Sequence, residues 1–254
     1  MINIWQAIVL GIVQGLTEFL PVSSSGHLVL FQRLFGLTGD MLYFDIAVHL
    51  ATLCAVIIVF RRDVWRLIRH PLSKTALLLV LSAIPAVIIA LLFKGLILDA
   101  FGGGYLAYGF LATAALLTVT DVCARAKASP ARDIGIPSAL LMGAAQGLAV
   151  LPGVSRSGAT VCTGMLSGCD RETSARFSFL MSIPIIIGSG LMSVIDLVKS
   201  PVGLAPAPLA AAFLCAFATG IAAIRFMLRI IKKRRFYGFA IYLVLLAAAT
   251  FFIL

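Results

Sequence analysis

Long runs of apolar residues dominate this chain, and each run is close to the length of a membrane span. A transmembrane helix needs about 20 predominantly apolar residues. Six runs approach that length, at roughly 44–60, 76–94, 103–123, 177–198, 207–230 and 237–254. The pattern predicts an all-α polytopic membrane protein, in which residues 1–254 form a single integral membrane domain.

Two other apolar stretches, at 1–36 and 137–168, are interrupted by glycine, proline and serine-rich segments. Non-helical backbone at membrane depth is tolerated only where it is buried in protein or lines a wet cavity. Each stretch is therefore predicted to be a re-entrant helical hairpin that enters and leaves on the same side of the membrane. Two such hairpins in one small protein point to a functional site.

The two broken stretches resemble each other in sequence. GIVQGLTEFLPVSSSG at 11–26 aligns without gaps with GAAQGLAVLPGVSRSG at 143–158, and chance does not explain the ordered Gln-Gly and Ser-x-Ser-Gly matches. Each hairpin is followed by three predicted transmembrane helices, and an odd number of spans inverts the second copy relative to the first. The sequence thus predicts an inverted-topology repeat, with repeat 1 at about 1–123 and repeat 2 at about 137–254, around a shared site.

Composition supports a membrane protein and explains the net charge. The chain is 61% hydrophobic and 12% charged, with a mean hydropathy of +1.10, whereas an average soluble domain is about 25% charged. Its net charge of +10 comes mostly from basic clusters at 61–74, 125–132, 171–176 and 225–235, which the positive-inside rule assigns to the cytoplasm. The connections at 95–102 and 199–206 carry almost no positive charge and are expected outside. Because the charge is topological, no nucleic-acid partner is expected.

The first hairpin carries a cluster of reactive side chains. Glu18, Ser23, Ser24, Ser25 and His27 fall within ten residues. A carboxylate is costly at membrane depth unless it is paired, hydrated or bound to a metal. A serine hydroxyl is a weak nucleophile that needs a neighbouring base, which either Glu18 or His27 can supply. Spacing does not decide which serine attacks, and a Glu18 that only caps the next helix is the alternative.

The second hairpin contains an arginine within PGVSRSGAT at 152–160. The Arg156 guanidinium needs an anionic partner at this depth, and its fork of donors suits phosphate or carboxylate. The glycine-rich turn and the hydroxyls before a predicted helix start also favour a phosphate. Together with the first hairpin, this predicts hydroxyl attack on the phosphorus of a substrate with a lipid tail, with Arg156 stabilising the developing charge. An Arg156 that pairs only with Glu18 and locks the hairpins together is the structural alternative.

These motifs closely resemble those of the undecaprenyl pyrophosphate phosphatase family, also called the bacitracin-resistance protein BacA family. The resemblance is carried by Q-x-x-x-E from Gln14 to Glu18, by FLPVSSSGH ending at His27, by PGVSRSGAT, and by FSFLMSIP at 177–184. It implies hydrolysis of undecaprenyl pyrophosphate to recycle the carrier lipid of cell-wall synthesis. It also implies a bacterial inner membrane, with the site opening to the outer, periplasmic side. A transporter that moves a phosphorylated lipid without hydrolysis is the rival class, because inverted repeats are typical of carriers.

The resemblance also implies roles for individual residues. Ser24 is the expected nucleophile, Glu18 and His27 are acid/base or metal-linked groups, and Arg156 clamps the pyrophosphate. The expected substrate-binding residues are Gln14, Ser23, Ser25, Gly26, Ser155, Ser157, Gly158 and Thr160. A divalent cation, Mg²⁺ or Ca²⁺, is implied with Glu18 as a ligand, although Gln14 stands where the family can carry a second glutamate. The expected partners are the polyprenyl pyrophosphate lipid and the lipid bilayer, and a homodimer is left open.

Four other charged or ionisable residues are singled out in the predicted spans. Asp45 and His49 are one turn apart on one helix face, where they are candidates to line the cavity. Asp121 and Asp196 lie near span ends, where each is expected to be a solvated cap rather than to take part in the chemistry.

Overall fold

The computed structural model describes residues 2–37, 41–93, 95, 104–126, 132–199, 205–232 and 235–253. Within these ranges the protein is all-helical, and the only β-type pairing is one bridge between Arg132 and Cys169. The eleven described helices are α1 (Ile4–Phe19), α2 (Ser24–Leu34), α3 (Leu42–Val59), α4 (Arg61–Arg69), α5 (Lys74–Leu92), α6 (Leu106–Ala126), α7 (Ile136–Leu148), α8 (Arg156–Leu166), α9 (Arg171–Lys199), α10 (Pro206–Ile231) and α11 (Tyr237–Ile253).

Five of the described helices, α3, α5, α6, α9 and α10, are long and apolar enough to cross a membrane. They coincide with five of the six predicted runs, so the prediction of an all-helical, multi-pass membrane protein is confirmed. The sixth run, 237–254, contains the 17-residue helix α11, which is about 25 Å long at 1.5 Å per residue. That length is slightly short of a hydrocarbon core of about 30 Å. The connections at 95–102 and 199–206 lie largely outside the described residues.

Each broken stretch is a pair of helices separated by a short non-helical segment, at residues 20–23 and 149–155. Pro21 and Pro152 fall within these breaks, where the missing N–H and the restricted preceding residue oppose a continuous helix. Gly153 has a φ of +86°, which lies in the left-handed region that favours glycine. The breaks therefore occur where the sequence pattern predicts them.

The first helix of each broken pair packs mainly against a span from the other half of the chain. Helix α1 lies along α10, and α7 lies along α5. Glycines permit this close approach. A Cβ on Gly11 would lie 2.4 Å from the Ala212 carbonyl oxygen on α10, and a Cβ on Gly143 would lie 2.0 Å from the Ser82 carbonyl oxygen on α5. Gly11 and Gly143 are matched positions of the internal repeat, so the same residue makes the same kind of contact in both halves.

The two breaks also contact each other. Ser157 Oγ, in the first turn of α8, donates a hydrogen bond to the Leu20 carbonyl oxygen of the first break at 2.8 Å. A Cβ on Gly26, in the first turn of α2, would lie 3.1 Å from the Cα of Gly153 in the second break. Side chains from both hairpins are therefore brought to one place.

Asp121 differs from the expected solvated cap. Its side chain is buried, and Oδ2 accepts a hydrogen bond from the Phe236 N–H at 2.5 Å. Arg171 Nη2 lies 3.5 Å from the other carboxylate oxygen. The buried carboxylate thus connects α6 to the beginnings of α9 and α11. These segments are far apart in the sequence and meet only in the folded protein.

Candidate active site

Glu18 lies near the end of α1, and its buried carboxylate contacts polar side chains from both hairpins. Ser24 Oγ, at the first residue of α2, donates to Glu18 Oε2 at 2.5 Å. Gln14 Nε2, one turn earlier on α1, donates to the same oxygen at 3.0 Å. Arg156 Nη2, at the first residue of α8, binds the other oxygen, Oε1. A hydroxyl, a carboxylate and a guanidinium are thus in direct contact.

The backbone immediately before Ser24 adopts an uncommon conformation. Ser23 has a φ of +69° and caps α2, with its Oγ accepting the Gly26 N–H at 3.3 Å. Such a conformation costs a non-glycine residue on the order of 1–3 kcal/mol and persists where the surrounding structure imposes it. Ser155 caps α8 in the same way by accepting the Gly158 N–H at 3.0 Å, but at an ordinary φ of −77°. The strained turn is therefore the one that presents the Ser24 hydroxyl.

A cavity of about 370 Å³ opens onto these groups. Its polar lining consists of Thr17, Glu18, Ser24, Ser25, Asp45, His49, Gln146, Ser155, Arg156 and Ser189. Most of the remaining lining is aliphatic, with leucine, isoleucine and valine side chains from α2, α3, α9 and the second break. Ligand sites commonly combine such apolar walls with a few placed polar groups. The N-terminal turn of α8 also borders the cavity, and the partial positive charge of a helix N-terminus attracts anions.

His49, on α3, is an imidazole beside Glu18 that lies outside the motifs of the two hairpins. Its Nε2 is 3.7 Å from Glu18 Oε2. Its Nδ1 is 2.6 Å from the Asp45 carbonyl oxygen, and because a carbonyl only accepts, Nδ1 carries the hydrogen. Gln32 Nε2 donates to Asp45 Oδ1 at 2.7 Å and so links α2 to α3. The sequence indicates His49 as a cavity residue, because His49 and Asp45 are polar residues one turn apart on an otherwise apolar helix.

His27 faces α11 and is almost fully buried. Its Nδ1 lies 2.7 Å from the Ser23 carbonyl oxygen, and its Nε2 lies 2.7 Å from the Tyr242 hydroxyl. The His27 and Tyr242 rings also stack, with their centroids 5.8 Å apart. Since Nδ1 donates to the carbonyl, Nε2 accepts the tyrosine hydrogen, and both nitrogens have partners other than Glu18.

Among the other predicted binding residues, Ser25 and Ser155 line the cavity, and the rest are buried in contacts within and between helices. Ser157 binds the first break, as described above. Thr160 Oγ lies 2.6 Å from a serine hydroxyl of α9. A Cβ on Gly26 would lie 2.6 Å from a phenylalanine ring of α6, so this glycine allows the helices to approach.

The described residues do not by themselves build a divalent-cation site. Across the described part of the chain, no group of three or more His, Cys, Asp and Glu side chains is arranged to hold a metal ion. Glu18 contacts Arg156, whose positive charge opposes a cation at the same carboxylate. Gln14 Oε1 is a buried oxygen beside Glu18 without a hydrogen-bond partner in the described ranges, but a single neutral oxygen does not make a site.

The fold and the site define a multi-pass α-helical membrane protein in which two broken helix pairs bring a serine, a glutamate and an arginine to one cavity. The family model described as "Bacitracin resistance protein BacA" matches residues 7–249, and the chain belongs to this family. The family expected from the motifs is thus confirmed.

Similar curated proteins match almost the whole chain, and the three described here are named undecaprenyl-diphosphatase. The protein from Carboxydothermus hydrogenoformans is 39% identical over 94% of this chain and 93% of its own length. The protein from Desulfosudis oleivorans is 41% identical over 98% of this chain and 97% of its own length. The protein from Rubrobacter xylanophilus is 40% identical over 98% and 97%, respectively.

Proposed function

We propose that this protein hydrolyses undecaprenyl diphosphate to undecaprenyl phosphate and inorganic phosphate. Relatives that bear the name of this enzyme cover nearly the whole chain, which supports membership of the same enzyme class. The observation that carries the mechanism is the contact of Ser24 Oγ with a carboxylate that also binds Arg156. In a cell, the reaction recycles the carrier lipid for cell-wall synthesis.

In the first step, Ser24 Oγ attacks the terminal phosphorus of the diphosphate. Its proton passes to Glu18 Oε2, which already accepts the hydrogen bond from this hydroxyl. The bond from the terminal phosphorus to the bridging oxygen breaks, and undecaprenyl phosphate leaves. Protonation of Glu18 weakens its hold on Arg156, so the guanidinium becomes available to the oxygens on which negative charge develops.

In the second step, water attacks the phosphoserine. Glu18 returns its proton to Ser24 Oγ as the phosphorus–oxygen bond to the serine breaks, and orthophosphate leaves with the hydrogens of the water. The carboxylate is then restored. Gln14 Nε2, which donates to Glu18 Oε2 at 3.0 Å, keeps this oxygen in place through both steps.

The acid/base role that the family resemblance implies for His27 stays a prediction. The contacts of His27 favour a positioning role, because its ring joins the strained Ser23 turn to Tyr242 on α11. In this role His27 helps to hold the Ser24 hydroxyl against Glu18.

The divalent cation also stays a prediction. The protein groups that would hold Mg²⁺ or Ca²⁺ are Glu18 and Gln14, and because Glu18 is paired with Arg156, they would do so only together with the bound diphosphate. A bound cation would neutralise phosphate charge. Neither proton transfer above depends on it.

We further propose that the two halves are inverted repeats, each made of one re-entrant hairpin and three spans. The reciprocal packing of α1 on α10 and of α7 on α5 supports this symmetry, as do the matched glycines Gly11 and Gly143. With the basic clusters in the cytoplasm, the cavity opens to the outer side of a bacterial inner membrane. Assembly as a homodimer stays open.

Phosphate release by the purified protein in detergent tests the proposed function. Detergent micelles have no compartments, so a carrier that only moves lipid releases no phosphate there. With undecaprenyl diphosphate and Mg²⁺ or Ca²⁺ supplied, we expect release by the wild type and a loss of about 10³-fold or more in Ser24→Ala. Ser167→Ala, at the other end of α8, is the matched serine control and keeps its activity. A folded wild type that releases no phosphate would favour the carrier alternative.

A further inference from the structure

We propose that Gln146 binds the inner phosphate of the diphosphate and thereby makes the site selective for a diphosphate over a monophosphate head group. This inference rests on the proposed hydrolysis of a lipid diphosphate. Gln146 lies on α7, outside the two loop motifs, and it lines the same cavity as Ser24, Glu18 and Arg156.

The Gln146 side chain is buried and has no internal partner. The residue is 3% exposed, and neither Nε2 nor Oε1 finds a hydrogen-bond partner among the residues that the structure describes. Buried side-chain amides are almost always hydrogen-bonded, because an unpaired donor or acceptor loses its hydration without compensation. A buried amide that is unpaired on both atoms, in a residue that lines a cavity, is therefore suited to a ligand in that cavity.

The internal repeat explains why this amide is unpaired. Gln14 occupies the matched position in the first hairpin, where its Nε2 donates to Glu18, four residues later and one helical turn away. Four residues after Gln146 stands Val150, which offers no acceptor. The second hairpin thus retains the donor but lacks the carboxylate, which leaves the Gln146 N–H groups to an acceptor from outside the chain.

The charges around the cavity indicate which acceptor this is. In the proposed mechanism the terminal phosphorus lies against Ser24 Oγ and its oxygens bind Arg156 as negative charge develops, so the inner phosphate is the next anionic group along the substrate. The carboxylates in the cavity lining, Glu18 and Asp45, repel that phosphate. Gln146 Nε2 is an uncharged donor in the same lining, and a hydrogen bond to a charged oxygen is stronger than one between neutral groups.

Binding measurements on the full chain in detergent test this inference without turnover. In a Ser24→Ala background, the shift in thermal unfolding temperature is measured against the concentration of inorganic pyrophosphate and, separately, of orthophosphate. Adding Gln146→Leu is expected to weaken pyrophosphate binding about 10- to 100-fold and to leave orthophosphate binding nearly unchanged. Gln146→Glu, which keeps the shape but adds a negative charge, is expected to weaken pyrophosphate binding further.

The control is Ser174→Ala on α9. Ser174 Oγ is likewise buried and unpaired within the described ranges, yet Ser174 is not part of the cavity lining. Its loss is expected to leave both ligand affinities unchanged. Without ligand, Gln146→Leu is expected to unfold at or above the wild-type temperature, because it removes an unpaired amide. A clear drop in that temperature would mean that the amide has a structural partner, and would overturn the inference.

Lipid hydrolysis separates this inference from the proposed function. With Ser24 intact, Gln146→Leu is expected to raise KM for undecaprenyl diphosphate about 10-fold or more while kcat changes little. A wild type that hydrolyses the lipid, together with an unchanged KM in both Gln146 variants, overturns the role of Gln146 alone. A wild type without hydrolysis, but with pyrophosphate binding that depends on Gln146, overturns the proposed function and supports the binding role.

Discussion

Removal of the Arg156 side chain distinguishes the two roles considered for it, a lock between the hairpins and a clamp for phosphate. Arg156→Ala leaves Glu18, which is 5% exposed, as a buried carboxylate without its cation. Removing one partner of a buried ion pair costs about 3–5 kcal/mol. The Arg156 side chain is 20% exposed, and Ser24 and Gln14 still donate to the carboxylate. We therefore expect Arg156→Ala to lower the free energy of unfolding by about 3 kcal/mol, at the lower end of that range.

The double variant Glu18→Gln/Arg156→Ala removes both charges. No buried charge is left unpaired, and a glutamine at 18 can still accept the hydrogen bond from Ser24, so we expect a loss of only about 1 kcal/mol relative to wild type. The double variant is thus expected to be about 2 kcal/mol more stable than Arg156→Ala alone. This partial recovery identifies the coupling between the two side chains.

The assay is thermal unfolding in detergent and phosphate release from undecaprenyl diphosphate, measured on the same preparations. A clamp predicts a fall in activity of about 10²- to 10³-fold in Arg156→Ala, measured where the variant is still folded. The double variant is measured for stability alone, because Glu18→Gln also removes the proposed base. Arg176→Ala is the matched control, because the side chains of the Arg176–Asp63 pair are more exposed, at 45% and 22%. Its removal is expected to change the unfolding free energy by about 1 kcal/mol or less and to leave activity intact.

Two results would refute this reasoning. If Arg156→Ala releases phosphate at the wild-type rate at a temperature where it is still folded, Arg156 serves only as a lock. If Arg156→Ala unfolds at the wild-type temperature, the buried pair with Glu18 contributes nothing to the fold.

Three further predictions concern stability and are measured by thermal unfolding in detergent. Gly143→Ala is expected to lower the free energy of unfolding by about 1–3 kcal/mol, because its Cβ would lie 2.0 Å from a backbone oxygen of α5. Gly188→Ala, with no atom within 4 Å of its Cβ, is expected to lower it by nothing. Equal stability of the two variants would contradict the tight contact. Asp121→Ala is expected to lower the free energy of unfolding by about 1–3 kcal/mol, because it leaves the Phe236 N–H without its acceptor. Asp121→Asn is expected to lower it less, since the asparagine keeps an acceptor oxygen. The prediction fails if both variants are as stable as the wild type. Ser23→Gly is expected to be at least about 1 kcal/mol more stable than Ser23→Ala, because only glycine relieves the positive φ; the reverse order would rule out strain at this turn.

The helices and both breaks follow from local sequence patterns. Apolar length alone predicts the five spans, and Pro21 and Pro152 mark the breaks because proline opposes helix wherever the chain folds. Two site residues from the motifs, Ser24 and Glu18, lie close enough in the chain for a short break to bring them together. The motif chemistry also predicts the partner of Arg156, since an arginine at membrane depth needs an anion.

The orientation of the imidazoles could not be predicted in this way. His27 is close to Ser24 in the chain, but its ring is turned by packing against Tyr242 on α11. His49 approaches Glu18 because α3 lies beside α1. Such neighbours depend on tertiary packing between helices, which periodicity within one helix does not specify. The burial of Asp121 has the same origin, because its partner Phe236 comes more than a hundred residues later.

The packing of α1 along α10 has a consequence for the order in which the molecule is made. Helix α1 ends at Phe19 and α10 begins at Pro206, so at about 5–20 residues per second the ribosome needs roughly 10–40 s to supply the partner of the first helix. During that interval Glu18 is already in the nascent chain, while Arg156 emerges only late. A chain that terminates before residue 156 therefore has the Glu18 carboxylate without Arg156. A chain that terminates before residue 206 has α1 without α10, the helix against which it packs. Arg156 and α10 both lie in the second half of the chain, so the proposed site is complete only after most of that half has been translated.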